Sequence, residues 1–219
     1  MEELNQFTKY KKYSSPFKKD EKFKNTEELS QSLPTGDWIV TEKIDGTNIR
    51  IIIDKDKNVH FGSRKLILNP EDKNSKIFMD CVADVNVNKL IEYFKEVEST
   101  VVIYGEGYGA GIQKGGIYSP VKNFRVFDIR IGDAYQDWEF IEKVCIANQL
   151  NMVPKLLISS SLNYSTCTSI LSNFKKTMIL DGDGGEPEGV VFKFNPTLLN
   201  KYGERLIFKV KFKDFEGLE

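Results

Sequence analysis

A single lysine, Lys43, stands between the carboxylates of Glu42 and Asp45 in TEKIDGTNIRIIID (41–54), just before a turn glycine and a run of isoleucines. An ordinary lysine, with a pKa near about 10.4, is an ammonium at pH 7 and no nucleophile. It becomes one where neighbouring cations or desolvation disfavour the charged form. Four other stretches hold groups suited to that chemistry. YGEG supplies Glu106, FRVFDI supplies Phe127 and Asp128, PEGVVFK supplies Glu188 and Lys193, and FKVKF supplies Lys209 and Lys211. Lysines two apart on a strand share a face at about 6.6–7 Å. Such a pair facing Lys43 would depress its pKa and hold an α-phosphate. A carboxylate can take a ribose hydroxyl, an aromatic ring can stack on a base, and a second carboxylate can hold Mg2+. Together these are the parts needed for attack of a lysine amine on a nucleoside triphosphate.

Taken one at a time, each group has a plainer reading. A strand lysine is usually solvated or snorkelling. Glu106 and Glu188 read as turn or edge carboxylates, Phe127 as a core aromatic, and Lys209 and Lys211 as the wet face of an edge strand. The combination in order is what carries the chemistry. Other chemistries find little support. Gly105, Gly107 and Ala110 match G-x-G-x-x-A, but Glu106 would point an anion at a pyrophosphate and no helical pattern follows. No G-K-[ST] is present, which sets aside a P-loop. His60 is the only histidine, so neither a Ser-His-Asp triad nor a multi-histidine zinc site is expected.

The elements that must position these groups follow from periodicity. Residues 38–53 read as two strands joined by a turn at IDGT, with Gly46 at an unusual φ. VHFGSR (59–64) reads as a third strand. Val87, Leu90, Ile91, Phe94 and Val97 fall at helical spacing, which predicts an amphipathic helix over 86–98. TVVIYGEG and NFRVFDIRI are β-rich. DWEFIEKVCIANQL (137–150) reads as a helix capped by Asp137, and STCTSILSNFKK as a weaker one. EGVVFKF and RLIFKVKFK close the chain as strands. In the last, Phe208, Val210 and Phe212 alternate with Lys209, Lys211 and Lys213. Strands in hairpin-like order with inserted helices predict one α+β domain, residues 1–219, built around antiparallel sheets flanked by helices.

Composition narrows the setting. With 219 residues, 40% hydrophobic and 29% charged, the chain can bury a full core. No apolar run approaches the roughly 18 residues that span a membrane, and the N-terminus lacks the apolar stretch of a secretory signal. Cys81, Cys145 and Cys167 show no disulfide or metal spacing, which predicts a reducing cytoplasm, bacterial or phage-infected. The net charge is −1, but six cations face one acid between Lys193 and Lys213, and seven lysines face four acids in the first 24 residues. Local basic patches of that kind suit phosphates.

With EKIDGTN, the SR at 63–64, YGEGYGAGIQKG, FRVFDI, EGVVFK and FKVK all in order, the chain resembles the covalent nucleotidyltransferase superfamily of ligases and capping enzymes. Within it the GAGIQKG string and the early YKKYSS resemble the phage RNA ligase 2 family. The similarity spans nearly all of residues 8–215. It implies an adenylyltransferase domain of ATP-grasp-like fold, ATP with Mg2+ or Mn2+, and a lysyl-AMP intermediate on Lys43. It places Glu42 at the adenine edge, Ile44 among the nucleotide-binding residues, Phe127 stacked on the ring, Glu106 on the ribose, and Asn48 and Arg64 toward phosphate and nucleic-acid end. Lys193, Lys209 and Lys211 would contact the phosphates, and Glu188, with Asp128 a second candidate, would hold the metal.

The implied partners are RNA ends, including nicked duplex RNA or an RNA/DNA hybrid, with no membrane and no protein partner. Asp45 stands where close phage relatives often carry histidine, so a DNA nick ligase is an alternative. An RNA-capping guanylyltransferase is another, and a non-catalytic module that binds nucleic-acid ends is a third. The chain stops eight residues after Lys211. No C-terminal accessory domain is therefore expected, whether this is a minimal ligase or a domain of a longer chain.

Overall fold

Alternating apolar residues build the strands of this protein, and pairs of consecutive strands are joined into sheets by pairings between non-consecutive ones. The computed structural model describes residues 1–13, 33–182 and 184–214. Ser14 and Ser15 of YKKYSS, and the lysines between 14 and 32, lie outside the described residues. In chain order the helices and strands are α1 (Glu2–Thr8), β1 (Asp37–Lys43), β2 (Thr47–Ile53), β3 (Val59–Ser63), α2 (Lys76–Cys81), α3 (Val87–Tyr93), β4 (Val101–Tyr108), β5 (Asn123–Ile131), β6 (Ala134–Tyr135), α4 (Trp138–Asn148), β7 (Lys155–Ser159), α5 (Tyr164–Asn173), β8 (Gly189–Asn195) and β9 (Ile207–Lys211). The expected α+β class is observed, and the named strands pair antiparallel throughout, consecutively in β2-β3, β4-β5, β5-β6 and β8-β9 and non-consecutively in β1-β7, β1-β8 and β2-β4. Among the described residues, no helix is long and apolar enough to cross a membrane.

Two helix boundaries show the local rules at work. Asp137 caps α4 by accepting the Phe140 amide at 2.9 Å, as an N-cap carboxylate should. Helix α3 stops at Tyr93 instead of running to 98. Glu96 and Glu98 would lie at its C-terminal end, where the helix dipole disfavours anions. The Lys57 ammonium instead takes the carbonyls of Phe94 and Val97.

The chain divides into two compact units. Described residues within 1–11, 45–153 and 181–183 make one, and those within 12–44, 154–180 and 184–219 make the other. The first holds a sheet of order β3-β2-β4-β5-β6 and the second a sheet of order β7-β1-β8-β9. Strands β1 and β2 are therefore no hairpin: the IDGT turn hands the chain from one sheet to another. Nor does Gly46 have a positive φ, as expected from the sequence. Glycine is required there for space, since a Cβ would come 2.3 Å from the Gly107 carbonyl oxygen and 2.8 Å from Glu106 Cγ.

In the five-stranded unit, Ile49, Ile51, Ile53, Val101, Ile103, Val126 and Ile129 pack against Leu90 and Phe94 from around α3 and Ile141 and Val144 of α4. Each such buried side chain contributes about 1.5–3 kcal/mol. The opposite face is polar, and α1 lies on it. Arg50, fully buried, donates from Nε to the Ser63 carbonyl at 2.8 Å. Its Nη1 donates to Thr8 Oγ1 at 2.8 Å and the Asn5 carbonyl at 3.2 Å, and its Nη2 to Asn5 Oδ1 at 2.9 Å. Tyr104 adds a bond from its hydroxyl to the Thr8 carbonyl at 3.0 Å. In the four-stranded unit, Trp38, Val40, Val190, Phe192, Phe194, Phe208 and Val210 pack against Cys167, Ile170 and Leu171 of α5.

Candidate active site

Residues directly opposite on antiparallel strands point to the same face, so register decides which side chains meet. In the four-stranded sheet, Lys43 pairs with Gly189 and Gly189 with Lys211. Thr41 pairs with Val191 and Val191 with Lys209, while Ile39 pairs with Lys193. Lys43, Lys193, Lys209 and Lys211 therefore share the face turned away from the α5 core. The alternation of the last strand predicts only Lys209 with Lys211; the other two arrive through pairing.

Glycine at 189 is dictated by this arrangement. Its φ is +154°, and a Cβ would lie 2.1 Å from the Val210 carbonyl oxygen. Glu188, just before it, receives Lys43 Nζ on Oε2 and Lys211 Nζ on Oε1. The three side chains are 18–20% exposed, so water screens them only in part. Burial pushes the Glu188 carboxyl up, but the ammonium groups of Lys43 and Lys211 outweigh it and hold the pKa below the usual glutamate value. Lys193 is buried on the same face, and Lys209 Nζ stands 5.5 Å from the centre of the Tyr13 ring.

Glu42, one residue before Lys43, faces the other way and is 1% exposed. Its Oε1 accepts the Thr177 hydroxyl at 2.5 Å and its Oε2 the Met178 amide at 2.9 Å. It braces the loop after α5 from the core side of β1. Ile44 is buried at the end of that strand.

The five-stranded unit carries the remaining predicted residues. Asn48 pairs with Glu106, and Glu106 with Arg125, across the polar face of its sheet. Asn48 is 4% exposed, and its Oδ1 is buried with no hydrogen-bond partner among the described residues. Such an orphaned acceptor points to a ligand group that would satisfy it. On β5, Tyr104 pairs with Asp128 and Gly105 with Val126, which leaves Phe127 as the extra residue of a β-bulge. The bulge shifts the alternation by one residue. Phe127 is thereby left half-buried instead of in the core, and Asp128 is fully buried. Asp128 Oδ2 accepts the Tyr10 hydroxyl at 2.8 Å. Arg64 is exposed just beyond β3. The turn after Lys43 is held by Tyr118, whose hydroxyl accepts the Asp45 amide at 3.0 Å.

Sequence reasoning assigned no role to Tyr10, Arg50, Tyr118 or Thr177; Tyr10 opens the YKKYSS string, and the other three lie outside the motifs that carry the resemblance. Burial pushes the thiols of Cys81 up to about 11 and of Cys145 and Cys167 up to about 12, which removes cysteine as a nucleophile. No group of three or more His, Cys, Asp or Glu among the described residues could hold a metal ion. Glu188 has both oxygens on ammonium groups. The described residues therefore form no cage for a resident divalent ion, only a single carboxylate beside a lysine-lined face. Mg2+ suits that setting because it commonly binds one or two carboxylates together with substrate phosphates. What the lysine face offers chemically is a polyanion site with one amine at a strand end.

The sequence profile of the RNA ligase family matches residues 36–211. Among solved structures, the fold is similar to a variant of Naegleria gruberi RNA ligase with ATP and Mn: TM-score 0.69, 16% identity, 97% of this chain and 58% of that one. A second variant of the same protein, with AMP and Mn, gives TM-score 0.70 at 16% identity over 97% of this chain and 58% of that one. The Naegleria gruberi enzyme with PPi gives TM-score 0.67 at 18% identity over 95% and 57% of the two chains. At such identities the likeness is one of fold. The chain spans somewhat over half the length of these relatives, 57–58%.

Proposed function

The chain belongs to the RNA ligase family, and from that premise we propose that it is an ATP-dependent RNA ligase whose Lys43 carries AMP. The observation that carries the reading is the lysine face of the four-stranded sheet. There the register sets three further lysines on the same face as Lys43, and Glu188 ties Lys43 to Lys211.

In the first step Lys43 leaves its ion pair with Glu188, gives up a proton and attacks the α-phosphorus of ATP with its nitrogen lone pair. A P–N bond forms, the bond to the β-phosphate bridging oxygen breaks, and pyrophosphate leaves. Lys193, Lys209 and Lys211 offset the charge on the phosphates as it develops. In the second step a 5′-phosphate oxygen of RNA takes the AMP from Lys43. In the third an RNA 3′-hydroxyl attacks that 5′-phosphate, forming the phosphodiester and releasing AMP.

The other roles are those the resemblance implies: Glu106 on the ribose, Phe127 against the base, Glu42 by the adenine edge, Ile44 at the nucleotide, Asn48 and Arg64 toward phosphate and RNA end. The orphaned Oδ1 of Asn48 supports a ligand contact there. Mg2+ or Mn2+ would enter with the triphosphate as part of the substrate, with Glu188, or Asp128 as second candidate, the carboxylate to hold it. Nicked duplex RNA or an RNA/DNA hybrid is the proposed substrate, and residues 1–219 are proposed as a single adenylyltransferase domain. Three free, buried cysteines support a reducing, cytoplasmic setting.

Intact-mass measurement after incubation with ATP and Mg2+ tests the reading. One added AMP is expected on the wild type and none on Lys43→Ala. An adduct that survives in Lys43→Ala would refute the assignment of the nucleophile. No adduct at all, with RNA affinity that falls steeply with salt, would mark a binding module instead. Joining of 5′-phosphorylated RNA but not DNA is expected, and the reverse would make the protein a DNA ligase.

A further inference from the structure

We propose that Tyr10 is a positioning residue for the nucleotide and acts through Phe127, an inference that rests on Phe127 being the ring that meets the base. Phe127 is the unmatched residue of the bulge in β5. A bulge residue has no partner across the ladder to set its direction, and Phe127 is not among the buried residues of the core. Its direction is set by Tyr10. The two rings are 5.1 Å apart at 67°, an edge-on contact. The Tyr10 hydroxyl donates to Asp128 Oδ2 at 2.8 Å, 118 residues away along the chain. One side chain thus grips both residues of the bulge, Phe127 by its ring and Asp128 by its hydroxyl.

Tyr10 is itself well held. It is 7% exposed, with the Tyr104 ring at 4.8 Å and the Tyr135 ring at 6.0 Å. The segment before it is fixed by the bonds from Arg50 to Asn5 and Thr8 and from Tyr104 to Thr8. The N-terminal segment is therefore a brace that holds the stacking ring ready before the base arrives. A ring already immobile loses less entropy when it binds. The effect belongs to nucleotide affinity and not to the chemical step.

The test is a double-mutant cycle read on formation of the Lys43–AMP adduct against ATP concentration. Tyr10→Ala should raise the KM for ATP about tenfold with kcat within about twofold, and Tyr10→Phe, which keeps the ring but loses the Asp128 bond, about threefold. In a Phe127→Ala background each of these changes should shrink below about twofold, because the ring they act through is gone. The same rise in both backgrounds, or no rise in the wild-type background, overturns the proposal. If Tyr10→Ala does not fold, the Tyr10→Phe pair decides by the same criterion. A wild type that forms no adduct, or a Phe127→Ala protein with native KM, removes the nucleotide reading itself. A sensitive Phe127 with additive Tyr10 effects removes only the brace.

Discussion

Replacing Glu188 by Gln keeps the shape of the side chain and removes the one carboxylate that Lys43 and Lys211 share. Two ammonium groups on opposite oxygens of one carboxylate stand about 5.5 Å apart, and at an effective dielectric of about 20 their bare repulsion is about 3 kcal/mol. Breaking a fully buried pair by removing one partner costs about 3–5 kcal/mol. At 18–20% exposure water and side-chain motion relieve part of this, so we expect a loss of about 2–4 kcal/mol at pH 7. The pH dependence has a definite sign. The folded Glu188 pKa lies below the ordinary value, about 4.3. Its stabilisation is therefore complete above that pH and lost as pH falls through the folded pKa. Urea unfolding of wild type and Glu188→Gln from pH 7 to pH 3 should show two curves that are parallel near neutrality and converge in acid. Inorganic pyrophosphate, which can replace the missing anion, should stabilise the Gln variant more than the wild type. A difference below about 0.5 kcal/mol at pH 7, or one that does not change down to pH 3, would refute the ion-pair account.

Lys209→Ala and Lys211→Ala should each slow adduct formation at least about tenfold, read by intact mass against time, and native rates in both would leave them as edge-strand lysines. Arg50→Ala strands the Ser63 and Asn5 carbonyls, Asn5 Oδ1 and Thr8 Oγ1 and should destabilise by about 3–5 kcal/mol. Amide exchange over 2–8 and 49–53 should quicken together in that variant, and unchanged protection would show that the network does not hold α1 down. Gly189→Ala forces a Cβ to within 2.1 Å of the Val210 carbonyl oxygen. It should cost about 2 kcal/mol or more and reduce the adduct rate, because Lys43 and Lys211 flank that position. Native Tm with native rate would refute the role of the glycine.

Much of the protein could be read from local pattern. Helical spacing marks Leu90 and Phe94 for the core, Asp137 announces its helix, and alternation in the last strand puts Lys209 and Lys211 on one face. The order of motifs gave the family, and Lys43, Glu188 and Lys211 were already singled out by residue type. These features depend on neighbours within a few positions, and residue-by-residue periodicity records them directly.

Only tertiary pairing decided the rest. That β1 and β2 enter different sheets, that Glu188 lies between Lys43 and Lys211, and that Glu42 turns inward to Thr177 all depend on pairing across the chain, with Glu188 145 residues from Lys43 and Thr177 135 from Glu42. The bulge that takes Phe127 out of the core leaves no compositional mark, since FRVFDI reads equally well without it. Tyr10 meets Asp128 and Arg50 meets Asn5 because one face of the five-stranded sheet is polar and closes over the N-terminal segment. A strand's own sequence sets which residues alternate, but register and bulges belong to the pair of strands, and a shift of one residue moves every side chain to the other face. The type of each reactive group was therefore decided locally, and the side on which it meets its partners was decided by the pairing and register of the strands.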